Sequence, residues 1–290
     1  MSDKLEIRGI NKKFGKQVIL DDINIEFETG HIYGMFGRNG VGKSTLCNIM
    51  ADKLYPDSGE VCINGEKISK NSNELKKICH IKETDIFSTD IKVKNILKAY
   101  SYFFENYDKE LEERLVERFN VNTKKTIGKL SRGQKSIVMI IVALSSNAEI
   151  TIFDEPTIGL DVSNRKIFYE ELMQKYSETM NTYIITTHLV EEMEKLIEKV
   201  VIINNKSIKI NEDIEDLKEK SHLITGKSED LKKLSFYDEA KEYKKFASSE
   251  TIFYYGKISG DDEEYIKSKD LKLEKPTLED IFLKTTEEVR

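Results

Sequence analysis

The segment from Gly37 to Thr45 constrains this chain more than any other part of the sequence. It reads GRNGVGKST and fits the pattern G-x-x-x-x-G-K-[ST] from Gly37 to Ser44. A predicted strand at residues 31–35 precedes it, and a predicted helix at residues 45–53 follows it. A glycine-rich turn in that setting points successive backbone N–H groups into one concavity, and the helix N-terminus adds its positive end. The sequence therefore predicts a cradle for a polyphosphate.

Two side chains of this segment have predicted roles in such a cradle. Lys43 would neutralise the β- and γ-phosphates of a nucleotide, and the hydroxyl of Ser44 would bind Mg²⁺. The alternative is a glycine-rich loop without a ligand, and the strand–loop–helix setting argues against it.

Composition narrows the possible settings of the chain. Its 290 residues are 39% hydrophobic and 34% charged, which suits one large domain with an appendage or two small domains. The net charge of -6 argues against a nucleic-acid partner, because surfaces that bind nucleic acids are usually basic. The three cysteines, Cys47, Cys62 and Cys79, fit no metal or redox spacing. They indicate a reduced, cytosolic setting.

The apolar runs of the sequence are short. The longest, from Ile137 to Leu144, falls far below the roughly 20 residues that a membrane span needs. The first residues contain no apolar run of the signal-peptide type. Any role at a membrane is therefore expected to require a separate partner.

The pattern of strands and helices predicts the fold class. From residue 31 to residue 203, predicted strands alternate with predicted helices, which indicates β-α-β units and a largely parallel sheet. Strands are also predicted at residues 5–10 and 18–27, with a turn at residues 11–16 between them. Residues 84–126 have a helical pattern. The aromatic residues of this segment are Tyr100, Tyr102, Phe103, Phe104, Tyr107 and Phe119. Their spacing suits a hydrophobic core better than a binding surface, although some of them could line a docking groove.

The composition of the sequence changes after about residue 211, where charged residues of both signs become frequent. Two strands are predicted there, at residues 250–258 and 271–273, and Pro276 begins a final amphipathic helix. We expect an α/β domain at residues 1–210, with a helical subdomain at about 84–138, and a small α+β accessory region at residues 211–290.

Acidic residues follow a buried-type strand predicted at residues 149–153. Asp154 and Glu155 lie at its carboxyl end, where open α/β sheets bind ligands. Asp154 could hold Mg²⁺, directly or through water, and Glu155 could polarise an attacking water molecule. His188 ends a second buried-type strand, at residues 182–187, and precedes a predicted helix at residues 190–199.

An aromatic residue, Phe14, lies in a polar segment upstream of the phosphate loop. Such a ring could stack on adenine, or it could simply close a hairpin. The sequence pattern favours neither reading.

The segment from Leu130 to Gln134, LSRGQ, resembles the signature motif of ATP-binding-cassette (ABC) ATPases. It lies between the phosphate loop and Asp154, in the order which that family uses. The resemblance extends from residue 4 to about residue 210. It implies a P-loop NTPase core with an N-terminal antiparallel β subdomain and a helical insertion. It also implies a head-to-tail dimer that holds two ATP molecules, with Mg²⁺, between its subunits.

The resemblance assigns roles to individual positions. Glu155 would be the catalytic base, His188 the switch histidine that grips the γ-phosphate, and Asp154 the magnesium carboxylate. Ser131, Gly133 and Gln134 would contact the γ-phosphate held by the other subunit. The remaining nucleotide contacts would be Phe14, as the adenine-stacking aromatic, the phosphate-loop residues Gly37, Asn39, Gly40, Gly42, Lys43, Ser44 and Thr45, and Asp161, in the loop that links the two sites.

Glu83 departs from the family pattern, which usually has glutamine at that position. The resemblance places Glu83 near the magnesium ion and the attacking water, as both a catalytic and a metal-contacting residue. Glutamate there resembles a subgroup of bacterial peptide and lantibiotic transporters. Glu83 carries a negative charge, whereas the glutamine that is usual at this position has a neutral amide.

The end of the chain supports an exporter. Residues Lys275 to Leu283, KPTLEDIFL, resemble the close of ATPase subunits in the bacterial multidrug, antibiotic-resistance and peptide export branch. The implied protein hydrolyses ATP for a separate integral-membrane permease, pairs with a second copy or a paralogous subunit, and does not bind nucleic acid. It would lie in the cytoplasm, at the inner face of the membrane. The alternatives are a soluble ABC-type ATPase that acts on ribosomes or nucleic acid, and an ATP-binding regulatory subunit with little turnover.

Overall fold

A computed structural model describes residues 4–82, 88–246 and 249–287 of the chain. Its strands are β1 (Lys4–Phe14), β2 (Gln17–Glu28), β3 (Ile32–Phe36), β4 (Ser58–Ile63), β5 (Glu66–Lys67), β6 (Ile78–Lys82), β7 (Ile150–Asp154), β8 (Thr182–Thr186), β9 (Lys199–Asn204), β10 (Ser207–Asp213), β11 (Ser221–Lys227), β12 (Lys241–Phe246), β13 (Ser249–Tyr255) and β14 (Lys272–Glu274). Its helices are α1 (Lys43–Met50), α2 (Ser72–Leu75), α3 (Val93–Phe103), α4 (Lys109–Arg118), α5 (Arg132–Ser145), α6 (Val162–Thr179), α7 (Val190–Met193), α8 (Ile214–Glu219), α9 (Ser228–Leu231), α10 (Gly260–Ser268) and α11 (Leu278–Thr286).

The central sheet has six strands in the order β10-β9-β3-β8-β7-β6. Strands β9, β3, β8, β7 and β6 pair in parallel, and β10 pairs with β9 in antiparallel fashion. The parallel strands are buried on both faces, because helices or a second sheet cover each side. This confirms the predicted parallel α/β core.

A second sheet, in the order β2-β1-β4-β5, is antiparallel throughout. One hydrophobic core joins this sheet and α1 to one face of the central sheet. A larger core on the opposite face contains α3 to α6 and α11. The predicted N-terminal antiparallel subdomain is confirmed.

Two predicted local features are wrong. Residues 11–14 were expected in a turn, but β1 continues to Phe14 through register shifts, one of which lies next to Gly9, whose φ is 59°. The helix predicted at residues 190–199 ends at Met193, and the chain then turns into β9. Between these elements Ile197 packs into the larger core and Leu196 packs against it, so their burial and not a helix explains the apolar pattern.

The C-terminal region contains more strands than the two that its sequence predicts. Strands β12-β13-β11-β14 form an antiparallel sheet with a small core of its own. The edge strand β12 reads KEYKKF, and such charged edge strands lack the alternation by which a strand is recognised. The predicted final helix is confirmed as α11, which begins at the N-cap Thr277.

The proposed division at residue 210 falls inside β10, which pairs with the central sheet from Ser207 to Asp213. The division of the chain into an α/β domain at residues 1–210 and an accessory region at residues 211–290 remains a prediction. None of the helices in the described part of the chain combines the length and the apolarity that crossing a membrane requires.

Candidate nucleotide site

The phosphate loop connects β3 to α1 and depends on glycine at two positions. Gly40 and Gly42 have φ values of 80° and 113°, and residues that carry a side chain rarely adopt such backbone conformations. A methyl group at Gly42 would also lie 2.8 Å from Cδ2 of Leu20. The loop therefore keeps its backbone N–H groups close to the space that a polyphosphate would occupy.

Lys43 lies across the inside of this loop. Its ammonium donates hydrogen bonds to the carbonyl oxygens of Gly37, at 2.7 Å, and Arg38, at 3.5 Å. The side chain is buried, and this burial lowers the pKa of Lys43 although Glu155 and Asp154 oppose the effect. A buried ammonium that donates to carbonyl groups is well placed to exchange them for phosphate oxygens.

A cleft of about 470 Å³ opens beside the loop. Eight residues expected at the site line it: Asn39, Gly40, Gly42, Lys43, Ser44, Thr45, Glu155 and His188. Ile19 and Ile158, which the sequence did not single out, also line it. Gly37 lies at the base of the loop, where a methyl group would come 2.8 Å from the carbonyl oxygen of Ile203.

Three oxygen-bearing side chains meet beside the phosphate loop. Asp154 and Thr186 end β7 and β8, and Ser44 lies at the start of α1. Oδ1 of Asp154 accepts hydrogen bonds from Ser44 Oγ, at 3.0 Å, and from Thr186 Oγ1, at 2.9 Å. Thr186 was missed by the sequence reasoning. Its signal was its position at the carboxyl end of a buried strand next to β7.

The second oxygen of the Asp154 carboxylate faces away from the hydrogen bonds that hold the first. Its Oδ2 is buried and accepts no hydrogen bond within the described residues, although Nζ of Lys82 lies 3.6 Å away. A carboxylate and a hydroxyl are the oxygen ligands that Mg²⁺ prefers. Asp154 and Ser44 therefore fit a magnesium ion held with a nucleotide phosphate.

Glu155 follows β7 with a φ of 54°, a left-handed conformation that side chains seldom adopt. Its N–H group donates to the hydroxyl and the carbonyl oxygen of Thr186, at 3.0 and 3.2 Å. These bonds hold the strained turn and direct the carboxylate into the cleft. Nδ1 of His188 lies 2.9 Å from Oε2 of Glu155.

The signature segment lies at the start of α5, as expected. Ser131 is the N-cap of this helix and forms a capping box with Gln134. A methyl group at Gly133 would lie 2.2 Å from the carbonyl oxygen of Gly159, so only glycine fits between these segments. Ser131, Gly133 and Gln134 do not line the cleft of their own chain.

Two further expected residues lie outside the cleft. Asp161 caps the N-terminus of α6, where its carboxylate accepts a 2.8 Å hydrogen bond from the N–H group of Asn164. Phe14 ends β1, is half exposed and lies under Nζ of Lys12 at 5.5 Å, so both readings of this ring stay open. Glu83 lies outside the described residues.

Comparisons with known proteins agree with this arrangement. Residues 20–158 match the family model described as ABC transporter. The chain is 32% identical over 207 residues to the bacitracin transport ATP-binding protein BcrA of Bacillus licheniformis, covering 70% of this chain and 68% of that protein. It is 26% identical over 297 residues to the Nod factor export ATP-binding protein I of Bradyrhizobium diazoefficiens, covering 97% and 96% of the two chains.

A solved structure of an ATP-binding subunit of an ABC transporter has the same fold. Its TM-score is 0.66 at 22% sequence identity, and the match covers 74% of this chain and 92% of that one. The sequence relatives and the geometry of the cleft point to the same assignment. The chain belongs to the ABC transporter ATP-binding family, whose members hydrolyse ATP.

Proposed function

We propose that this protein binds and hydrolyses ATP to drive the export of a peptide or drug-like substrate through a separate membrane permease. Two relatives bear names that refer to bacitracin transport and Nod factor export. The C-terminal segment resembles the same branch. The protein would then lie at the inner face of the cell membrane, held there by the permease.

The chemical step rests on the residues of the cleft. Lys43 and the loop N–H groups hold the β- and γ-phosphates of ATP. Asp154 and Ser44 hold Mg²⁺, which when bound neutralises charge on the phosphates. The carboxylate of Glu155 orients a water molecule and accepts its proton as the water attacks the γ-phosphorus. The bond from that phosphorus to the β,γ-bridging oxygen breaks, and ADP leaves with the electron pair. His188 donates a hydrogen bond to the charge that builds up on the γ-phosphate oxygens.

A second subunit would complete this site. The start of α5 presents Ser131 and the N–H groups of its first turn away from the cleft of their own chain. A helix N-terminus favours an anion. A head-to-tail pair of subunits would place this N-terminus against the γ-phosphate in the partner's cleft, so that ATP binding closes the dimer and hydrolysis releases it.

One observation carries the proposal of a permease partner. A groove of about 410 Å³ lies between the end of α1, strand β6 and helix α3, and it shares no lining residue with the nucleotide cleft. Its lining is mostly apolar, and the exposed ring of Phe103 forms part of its edge. It is wide enough to receive the side chains of an amphipathic helix from another protein.

The side chain of His80 lies in this groove with unmet hydrogen-bonding capacity. It is buried, and neither ring nitrogen has a hydrogen-bond partner within the described residues. Burial lowers the pKa of His80 to about 3, helped by the nearby charges of Lys53 and Lys82, so the ring is neutral at physiological pH. A buried polar group without a partner costs about 1–3 kcal/mol of stability, so this histidine is an unusual residue for a purely structural position.

A photo-cross-linking experiment in native membranes tests this proposal. A benzophenone amino acid replaces Phe103, which is 55% exposed, or Met180, which is 57% exposed and ends α6 outside the groove. We expect the probe at Phe103, and not the one at Met180, to capture a polytopic membrane protein. The proposal is contradicted if neither probe captures a membrane protein, or if both capture only soluble partners in the presence of ATP.

A further inference from the structure

Helix α11 connects the C-terminal region to the base of the phosphate loop. Its side chains Leu278 and Ile281 are fully buried in the larger core, alongside residues of α7 and β9. The ring of Phe282, one position further along, packs against the ring of Phe36 with centroids 6.4 Å apart and planes at 57°. That separation lies within the range of favourable aromatic pairs.

Phe36 is the last residue of β3 and directly precedes Gly37, the first residue of the phosphate loop. Its ring is fully buried and folds back over Gly34, where a methyl group would lie 2.6 Å from Cζ of Phe36. The same methyl group would lie 2.8 Å from Cδ1 of Ile197, so the ring has little room on that side. Phe282 therefore packs against a buried ring that directly precedes the phosphate loop.

The C-terminal sheet holds α11 in turn. The hydroxyl of Tyr243, on β12, donates a 2.6 Å hydrogen bond to Oδ1 of Asp280. Nζ of Lys241 donates to the carbonyl oxygen of Lys284 at 2.5 Å, and Nζ of Lys284 donates to the carbonyl oxygen of Glu242 at 2.9 Å. These contacts join the edge strand of the sheet to both ends of the helix.

The other face of α11 reaches elements that border the nucleotide cleft. The N–H group of Leu278 donates to Oε2 of Glu194, just after α7, at 3.3 Å. Helix α7 itself begins two residues after His188. At the other end of α11, the amide of Asn204, the last residue of β9, donates to the carbonyl oxygen of Thr285 at 3.3 Å.

We propose that Phe282 is a positioning residue for ATP binding and turnover, and that Tyr243 tunes it from the C-terminal sheet. Phe282 acts through Phe36 on the first residue of the phosphate loop. Tyr243 acts one step further away, by fixing α11 through Asp280. The C-terminal region then sets the affinity of the cleft for ATP in addition to stabilising the chain. This inference rests on the ATPase activity of the family and not on the proposed permease.

Purified full-length variants test this role. Phe282→Ala removes the ring, Phe282→Leu refills most of the apolar space, and Tyr243→Phe removes only the hydroxyl. Leu283→Ala is the matched control, because Leu283 is the next residue of α11 and its side chain is 45% exposed. Binding of a fluorescent ATP analogue gives Kd, steady-state hydrolysis gives kcat and KM, and thermal unfolding shows that each variant is folded at the assay temperature.

We expect Phe282→Ala to raise Kd and KM for ATP roughly 3- to 10-fold, the factor that an aromatic contact of this kind predicts. Phe282→Leu restores both to within about twofold of the parent, and Tyr243→Phe shows a smaller rise in the same direction. The proposal is overturned if folded Phe282→Ala binds and hydrolyses ATP like the parent. It is also overturned if Leu283→Ala changes Kd to the same extent, or if Phe282→Leu is no better than Phe282→Ala.

Discussion

The imidazole of His188 and the carboxylate of Glu155 form a pair at the mouth of the nucleotide cleft, with Nδ1 2.9 Å from Oε2. The two residues come from the carboxyl ends of the neighbouring strands β8 and β7. Each therefore limits where the other can lie. The pair has a counterpart outside the cleft, where Nδ1 of His31 lies 2.9 Å from Oε2 of Glu198.

We predict that His188→Ala lowers kcat for ATP hydrolysis on the order of 100-fold, because it removes a hydrogen-bond donor aimed at charge that develops during the reaction. The Kd for ATP should change much less. His31→Ala, which breaks the matching pair outside the cleft, should leave kcat within about twofold of the parent. Steady-state hydrolysis and equilibrium binding measure both. Equal losses of kcat in the two variants would contradict the assigned role of His188.

Replacing Lys43 should weaken nucleotide binding strongly. Lys43→Met removes the ammonium, and the loss of a charged hydrogen bond to phosphate should weaken ATP binding by roughly 10- to 100-fold. At a fixed ATP concentration, ATP should then raise the unfolding midpoint less than it does in the parent. Lys175→Met is the control, since Lys175 is equally buried but pairs with Asp108 at 3.1 Å, away from the cleft. It should reduce stability and leave the Kd for ATP unchanged.

The contact between Gly133 and Gly159 predicts a steric effect. Gly133→Ala would place a methyl group 2.2 Å from the carbonyl oxygen of Gly159, which forces the start of α5 away from the loop after β7. We expect about 1–3 kcal/mol of lost stability and at least a tenfold loss of ATPase activity. Gly260→Ala should be harmless, because that glycine begins α10 with open space around it. Chemical denaturation and hydrolysis assays distinguish the two variants.

His80 predicts a dependence of stability on pH. Its pKa is lowered to about 3 in the folded protein, so below pH 6.5 the unfolded chain binds a proton that the folded chain does not. Its contribution to the free energy of unfolding therefore falls as the pH falls from 6.5 towards 3. Between pH 5.5 and 4.5 the parent should lose about 1 kcal/mol more than His80→Gln does. Denaturant unfolding at the two pH values measures this difference, and equal losses would show that His80 is not buried in neutral form.

Sequence patterns revealed the nucleotide cleft well because its parts are local. The parallel strands are buried on both faces and read as apolar runs, and the polar residues that follow them meet at one edge of the sheet. The positions of Asp154, Glu155 and His188 at the ends of these strands could therefore be predicted from the sequence. Thr186 was overlooked because its signal was positional: it ends a buried strand, and that this strand lies next to β7 is shown only by the structure.

Features built from distant segments could not be read in this way. The groove around His80 combines α1, β6 and α3, and the sequence placed Tyr100, Phe103 and Phe104 only in a helical region with two possible uses. The helical period of residues 278–286 was visible, but nothing local shows that Phe282 packs against Phe36, more than 240 positions earlier. The charged edge strand β12 was missed because its stability comes from pairing with β13.

The assignment of Glu155 as the general base is the central chemical claim. Its carboxylate lies in the cleft beside His188, on a backbone turn that is strained and held by two hydrogen bonds to Thr186. The amide of glutamine preserves the size and the hydrogen bonds of the side chain but cannot accept the proton of the attacking water. Binding and hydrolysis should therefore respond differently to this substitution.

The most direct measurement compares Glu155→Gln with the parent for ATP hydrolysis and for ATP binding in the same preparation. We predict a loss of kcat of about 100-fold or more, the contribution typical of a general base, with the Kd for ATP within a few-fold of the parent. A Glu155→Gln protein that hydrolyses ATP at the parental rate would contradict the account, since the proton would then have to reach another group.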